Sequence, residues 1–186
     1  MLSKPAKRDI RHRRRFIGNG YHREDGLWDI EVFLTDKKSY TFNNRDRGYI
    51  AAGEPLHEMA IRLTLTSEFE IIDIEAVINQ SPYLICPTAV EKCHLLKGEF
   101  IKPGFNKRVL KLFGGAKGCR HINDLLAYAA TLSFQSINHN DSLEDKKINL
   151  ENLTYIKEKF VNSCYTYREG GEVYNYYQEA FENILK

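Results

Sequence analysis

Three stretches of strict apolar and polar alternation constrain this chain more than anything else in it. Over residues 27–35, Trp28, Ile30, Val32 and Leu34 share one face, with Asp29, Glu31 and Thr35 on the other. Met59, Ile61, Leu63 and Leu65 alternate with Ala60, Arg62, Thr64 and Thr66, and Ile72, Ile74, Ala76 and Ile78 with Asp73, Glu75 and Asn79. A period of two belongs to a strand with one buried side, so these segments read as amphipathic strands of an antiparallel sheet. Glu24-Asp25-Gly26 and Ser67-Glu68 read as turns, the short β-prone Ser39–Phe42 as a hairpin partner of the first strand, and Asn43–Gly48 as a polar loop.

Beyond Ser81-Pro82 the period changes. Pro87-Thr88 starts a short helix over Ala89–Lys97 that Gly98 ends, and a second spans Asn106–Phe113. A longer helix gathers Ile122, Leu125, Leu126, Ala129 and Ala130 on one face. Two more follow, one marked by Leu153, Ile156, Phe160 and Cys164, the other by Val173, Tyr176, Tyr177, Ala180, Phe181 and Ile184. Strands first and helices afterwards predict an α+β fold, with an antiparallel sheet of about four strands in the N-terminal half and the helices of the C-terminal half packed on it. The expected division is a basic N-terminal arm over 1–19, an α+β core over 20–137, and a helical extension over 138–186 packed on that core, joined through a polar linker at Asn138–Asp145.

Charge is unevenly placed. The formal net charge is +2, yet residues 1–15 alone carry +6 and the remainder −4. An arm with Arg11, Arg13, Arg14 and Arg15 can follow a phosphate backbone, although no aromatic platform is interleaved with the arginines, and a solvated, frayed terminus is the favoured reading. No window reaches the ~18 to 20 apolar residues of a membrane span, and the basic N-terminus has no apolar stretch behind it, so the expectation is a cytoplasmic protein with no membrane partner. Neither G-x-x-x-x-G-K-[ST], nor G-x-G-x-x-G after a strand, nor H-E-x-x-H occurs.

The four cysteines, Cys86, Cys93, Cys119 and Cys164, should be reduced in the cytoplasm. Cys86 precedes Pro87 and Cys119 follows Gly118, each at an expected helix start, where free backbone N–H groups stabilise a thiolate. His121 lies two residues beyond Cys119, and His57 opens a strand of the same core. Two sulfurs and two imidazoles make a tetrahedral zinc set and could also hold iron or a cluster, so His57, Cys86, Cys119 and His121 are the candidate ligands. The alternative is that both cysteines pack as small apolar residues and both histidines satisfy backbone groups. Cys93 and Cys164 read as core, His22 as surface, and Trp28 as core-facing.

The runs Gly20-Tyr21-His22-Arg23-Glu24-Asp25-Gly26-Leu27-Trp28-Asp29-Ile30-Glu31, Ala52-Gly53-Glu54-Pro55-Leu56-His57-Glu58-Met59 and Gly114-Gly115-Ala116-Lys117-Gly118-Cys119-Arg120-His121 together resemble a family of uncharacterised bacterial proteins defined only as a domain of unknown function. The segment His57–Gly98, two amphipathic strands leading to a cysteine at a helix start, also looks like the core of the iron–sulfur cluster scaffold proteins of the IscU and NifU type. That resemblance lays the family's second and third cysteines on Cys86 and Cys119 and its aspartate on His57. It departs at Pro55, where the family has its first cysteine, and at Gly118, where the family has a histidine.

The expected function is a metal-binding accessory protein of scaffold-like fold, carrying zinc or an iron–sulfur cluster. The alternatives are a metal-dependent hydrolase or a thiol enzyme using Cys119 with His57 or His121 as base. A third is an adaptor that binds nucleic acid or a protein partner through the basic arm and the tyrosines Tyr174, Tyr176 and Tyr177.

Overall fold

The computed structural model describes residues 1–137 and 150–185, and the expected linker at Asn138–Asp145 lies outside them. The chain divides into two compact units, residues 1–138 and 139–186.

The first unit is built on a four-stranded antiparallel sheet of β1 (His12–His22), β2 (Trp28–Lys38), β5 (Pro55–Leu65) and β6 (Ile71–Gln80), in the order β1-β2-β5-β6. Every pairing is between antiparallel strands, as single-faced alternation demands. On the inner face Ile30, Val32, Leu34, Met59, Ile61, Leu63 and Leu65 are buried. Two short strands, β3 (Phe42–Asn44) and β4 (Gly48–Ile50), form a separate hairpin inside the β2–β5 connection. The expected partner of the first strand at Ser39–Phe42 is therefore not in the main sheet.

Its place is taken by β1, so that residues 12–19 of the expected 1–19 arm lie in the sheet, with Ser39 bonded to the carbonyls of Ile10 and Arg11 just before it. The inner side of β1 runs Arg14, Phe16, Gly18, Gly20 and His22, register partners of Asp36, Leu34, Val32, Ile30 and Trp28. Phe16 is the only aliphatic or large aromatic hydrocarbon in that row, so no apolar period announces the strand. The glycines serve α2 (Arg120–Ser136), which crosses the inner face against β1, β2 and β5. A Cβ on Gly18 would stand 2.7 Å from both Leu132 and Tyr128, and one on Gly20 would collide with Ser136. Closeness of backbone to helix here requires the absence of a side chain.

α2 buries Ile122, Leu125, Leu126, Ala129 and Ala130 against the sheet, the face its sequence period marks. α1 (Phe105–Phe113) packs beside it through Phe105, Val109 and Phe113. The helix expected over Ala89–Lys97 is two 3₁₀ turns, Cys86–Val90 and Cys93–Leu96. Only Cys93 and Leu96 of these turns are buried, too few for a helical stripe. Backbone bonds from Gly98 N–H to Ile71 and from Ile71 N–H to Glu99 tie the segment to β6 instead.

The second unit contains α3 (Leu150–Lys159) and α4 (Glu172–Ile184), with Phe160, Tyr167 and Tyr177 in successive ring contact. α3 stops short of Cys164, which is exposed and not a core residue. Among the described residues no helix is long and apolar enough to cross a membrane.

Candidate metal centre

The apolar alternation of the inner face does not run to the end of the strands. In β2 the series Ile30, Val32, Leu34 continues to Asp36, and in β5 the series Leu63, Ile61, Met59 continues to His57, the register partner of Asp36. A bulge between Asp36 and Lys37 bends the sheet at this point. His12 and Arg14 of β1 reach the same carboxylate, and His121 arrives from the first turn of α2. Four elements thus converge on one end of the sheet.

Asp36 is only 1% exposed, and each of its oxygens is engaged. Its Oδ1 pairs with His12 Nε2, and its Oδ2 accepts from Arg14 Nη2 at 2.5 Å and from His57 Nδ1 at 3.1 Å. Burial pushes the carboxyl up, but the hydrogen bond and charge of Arg14, aided by His12 and His57, outweigh it and hold Asp36 below the ordinary carboxylate range. His57 is held below the usual imidazole value by desolvation, against the pull of Asp36. His121 is lowered by desolvation first and then by His57 and Arg14. Both imidazoles are accordingly neutral near pH 7, the form that binds metal.

The rings of His57 and His121 lie 4.1 Å apart, centroid to centroid. Arg14 Nη2 also lies 2.9 Å from His121 Nε2. Since a guanidinium only donates, Nε2 is the acceptor and the proton of His121 sits on Nδ1. That Nδ1 faces Cys119 Sγ at 3.9 Å. In this arrangement His121 offers the thiol a proton rather than a base, which argues against the Cys119–His121 pair as a thiol-enzyme couple.

One ligand atom each from Asp36, His57 and His121 lie within 4.8 Å of one another, the one such group of three or more among the described residues. Of the four residues singled out by sequence, His57 and His121 meet and Cys119 stands beside them as the N-terminal cap of α2. Cys86 opens a 3₁₀ turn with no buried residue and is no member of the group. Cys93 is buried, its thiol pushed up to about 11 by burial and then by Cys119, and it is packing. Asp36 and His12 have no part in the sequence-based site, and Arg14 enters there only as a member of the basic arm, although parity along β2 already puts Asp36 on the inner face.

The fold and the site describe an α+β domain with a buried carboxylate gathering histidines at one end of its sheet. The chain belongs to the family described as protein of unknown function (DUF2889), whose model matches residues 12–135, from the first residue of β1 almost to the end of α2. No match was found among curated proteins or among solved structures, so the scaffold-type resemblance gains no support.

Proposed function

We propose that this is a metal-binding accessory protein whose ion, zinc before any other, is held by Asp36, His57 and His121. The observation that carries the reading is the approach of those three ligand atoms to within 4.8 Å of one another, with both imidazoles neutral. The separation of Asp36 Oδ2 and His57 Nδ1, 3.1 Å, is about what two neighbouring ligands on one ion at ~2.1 Å require, once the ring proton that Nδ1 donates in the metal-free site has moved to Nε2. Two nitrogens and one oxygen suit zinc or ferrous iron, and the group offers no thiolates for an iron–sulfur cluster. Cys119 stands behind His121, where a group accepting the Nδ1 proton orients a ligating ring. Four free cysteines support a cytoplasmic setting.

The count of ligands favours one second reading, a metal-dependent hydrolase, because three protein ligands leave a position for water. Arg14 and Arg11, half of the proposed nucleic-acid arm, are already engaged, Arg14 with Asp36 and Arg11 over the Tyr40 ring at 4.3 Å. They add nothing to an adaptor reading.

Elemental analysis of anaerobically purified protein and calorimetric titration with zinc test the proposal. One equivalent should bind to the wild type, none to His57→Ala or His121→Ala, and Cys86→Ser and Cys164→Ser should match the wild type. A wild type that takes up no metal, or a Cys86→Ser variant that loses it, overturns the assignment.

A further inference from the structure

The outer face of the sheet carries a feature that the site does not use. Register pairs Ile17 with Phe33, Phe33 with Ala60 and Ala60 with Val77, so one apolar row crosses all four strands on the side away from α2. Ile17 is 55%, Phe33 39% and Val77 37% exposed. A contiguous apolar band across an open sheet is a candidate interaction surface.

The charges on either side of the row name the occupant. Toward one end stand Arg13, Arg15 and Lys37 with Glu58, and toward the other Asp29, Glu31, Asp73 and Glu75 with Arg62. Arg23 and Lys97 reach Asp29 and Asp73 from the side, and Arg62 bridges Glu31 and Glu75, so each of these carboxylates already has a cation of its own chain. The face is therefore basic at one end, lined with nearly balanced carboxylate pairs at the other, and apolar between.

We propose that this face pairs with the same face of a second copy, about a two-fold axis lying along the Ile17–Phe33–Ala60–Val77 row. Such an axis sets each row residue over its own equivalent and reverses the strand direction, bringing the basic end of one copy onto the carboxylate-bearing end of the other. On β2, whose centre is Phe33, Lys37 comes over Asp29 of the second copy. On β5, centred on Ala60, Glu58 comes over Arg62. On β1, centred on Ile17, Arg13 comes over Tyr21, a cation over a ring. Even Glu58 and Arg62, the residues of minority sign at their ends, fall opposite each other. Four strands ~4.8 Å apart and about eleven residues long offer roughly 600 to 700 Å² per copy, close to the ~800 Å² of a standard interface. Two sheets stacked face to face at ~10 Å form a sandwich, each keeping its own helix layer outside.

Sedimentation velocity of the full chain at micromolar concentration should read a dimer. Phe33→Asp should read a monomer with an unchanged far-ultraviolet circular dichroism spectrum, since the side chain faces away from the core. Glu58→Lys, which sets like charges together, should raise the dimer Kd by about tenfold or more. Register is read by cross-linking in a Cys164→Ser background. Phe33→Cys should join to itself through a short bis-maleimide, while Tyr21→Cys, about 26 Å from its own copy, should not exceed the parent. A monomeric wild type, a dimer indifferent to Phe33→Asp, or self-linkage at 21 without linkage at 33 overturns the proposal. So does a monomer whose Phe33→Cys thiol resists maleimide, which would show the face covered by other residues of the chain.

Discussion

The two ends of the sheet's inner face are made by the same strands in the same parity and yet differ in kind. At the end where β2 begins and β5 finishes, Ile30, Leu63 and Leu65 are fully buried hydrocarbon. At the other, the same rows finish in Asp36 and His57, joined by Arg14 of β1 and His121 of α2. Burying hydrocarbon is favourable wherever it happens, whereas a buried carboxylate is tolerated only when its oxygens find donors. A carboxylate that draws in an arginine and two histidines, with a third imidazole beside the arginine, costs sequence freedom on four elements. What the difference teaches is where the fold has been shaped for something other than its own stability.

Truncation separates the two ends most sharply. Leu63→Ala, at a position with no exposure, should lower unfolding free energy by about 3 to 5 kcal/mol and leave zinc titration unchanged in stoichiometry. Asp36→Ala should cost less, about 1 to 3 kcal/mol, because Arg14 and His12 are partly exposed and can turn to water, but it should abolish zinc binding. Chemical denaturation paired with titration reads both, and equal loss of zinc in the two variants would erase the distinction. At the edge of the face, Gly18→Val should cost about 1 to 3 kcal/mol through overpacking against Leu132 and Tyr128.

Acid should strike the ionisable end alone. His57 and His121 are held below the free imidazole value of about 6.5, so the unfolded chain takes up their protons first. Their contribution is full above that pH and is lost as pH falls below it. Asp36, also lowered, adds stability that is full above the ordinary carboxylate value and is lost as the pH falls from there through its lower folded value. Both shifts therefore have the same sign. Urea midpoints should be level above pH 7, decline from about pH 6.5 downward, and decline less in His57→Phe. A wild type whose stability rises on acidification through pH 6 would contradict the neutral imidazoles.

How much of this was legible depended on which force placed the residue. Strands β2, β5 and β6 and helix α2 are set by hydrocarbon burial, which writes a period into the sequence, and they stand where Ile30, Met59, Ile74 and Leu125 put them. Strand β1 is set by glycine, through the close approach of α2, and by pairing of arginine with a buried acid, and neither leaves a hydropathy signal. Apart from Phe16, its apolar residues, Ile17 and Tyr21, point to the outer face, opposite to what a core-based reading needs. Within the site, His57 and His121 were recognisable from residue type, and parity along β2 carried Asp36. The helix N-terminus expected at Cys86 is a five-residue 3₁₀ turn with no buried residue, and it brings the thiol into no ligand group among the described residues.

The subtlest contrast lies in Arg14. Its Nη2 is 2.5 Å from Asp36 Oδ2 and 2.9 Å from His121 Nε2, so the guanidinium occupies the place between them where a divalent ion would bind. An ion must displace it, and the side chain, 35% exposed, has solvent to move into. Sending the arginine into water gives up its charged hydrogen bond to Asp36, worth about 1.5 kcal/mol, and that is the penalty on metal binding. Arg14→Gln should therefore bind zinc about tenfold more tightly than the wild type, since 1.4 kcal/mol is a factor of ten. Without metal the same variant should be less stable by about 1 kcal/mol, because Asp36 loses its charged donor, and added zinc should more than restore it. Calorimetry and thermal denaturation with and without zinc measure the two effects separately. If Arg14→Gln instead weakened zinc binding, Arg14 would be a supporting partner of the liganded carboxylate rather than the ion's competitor, and the ionisable end would be organised around the arginine.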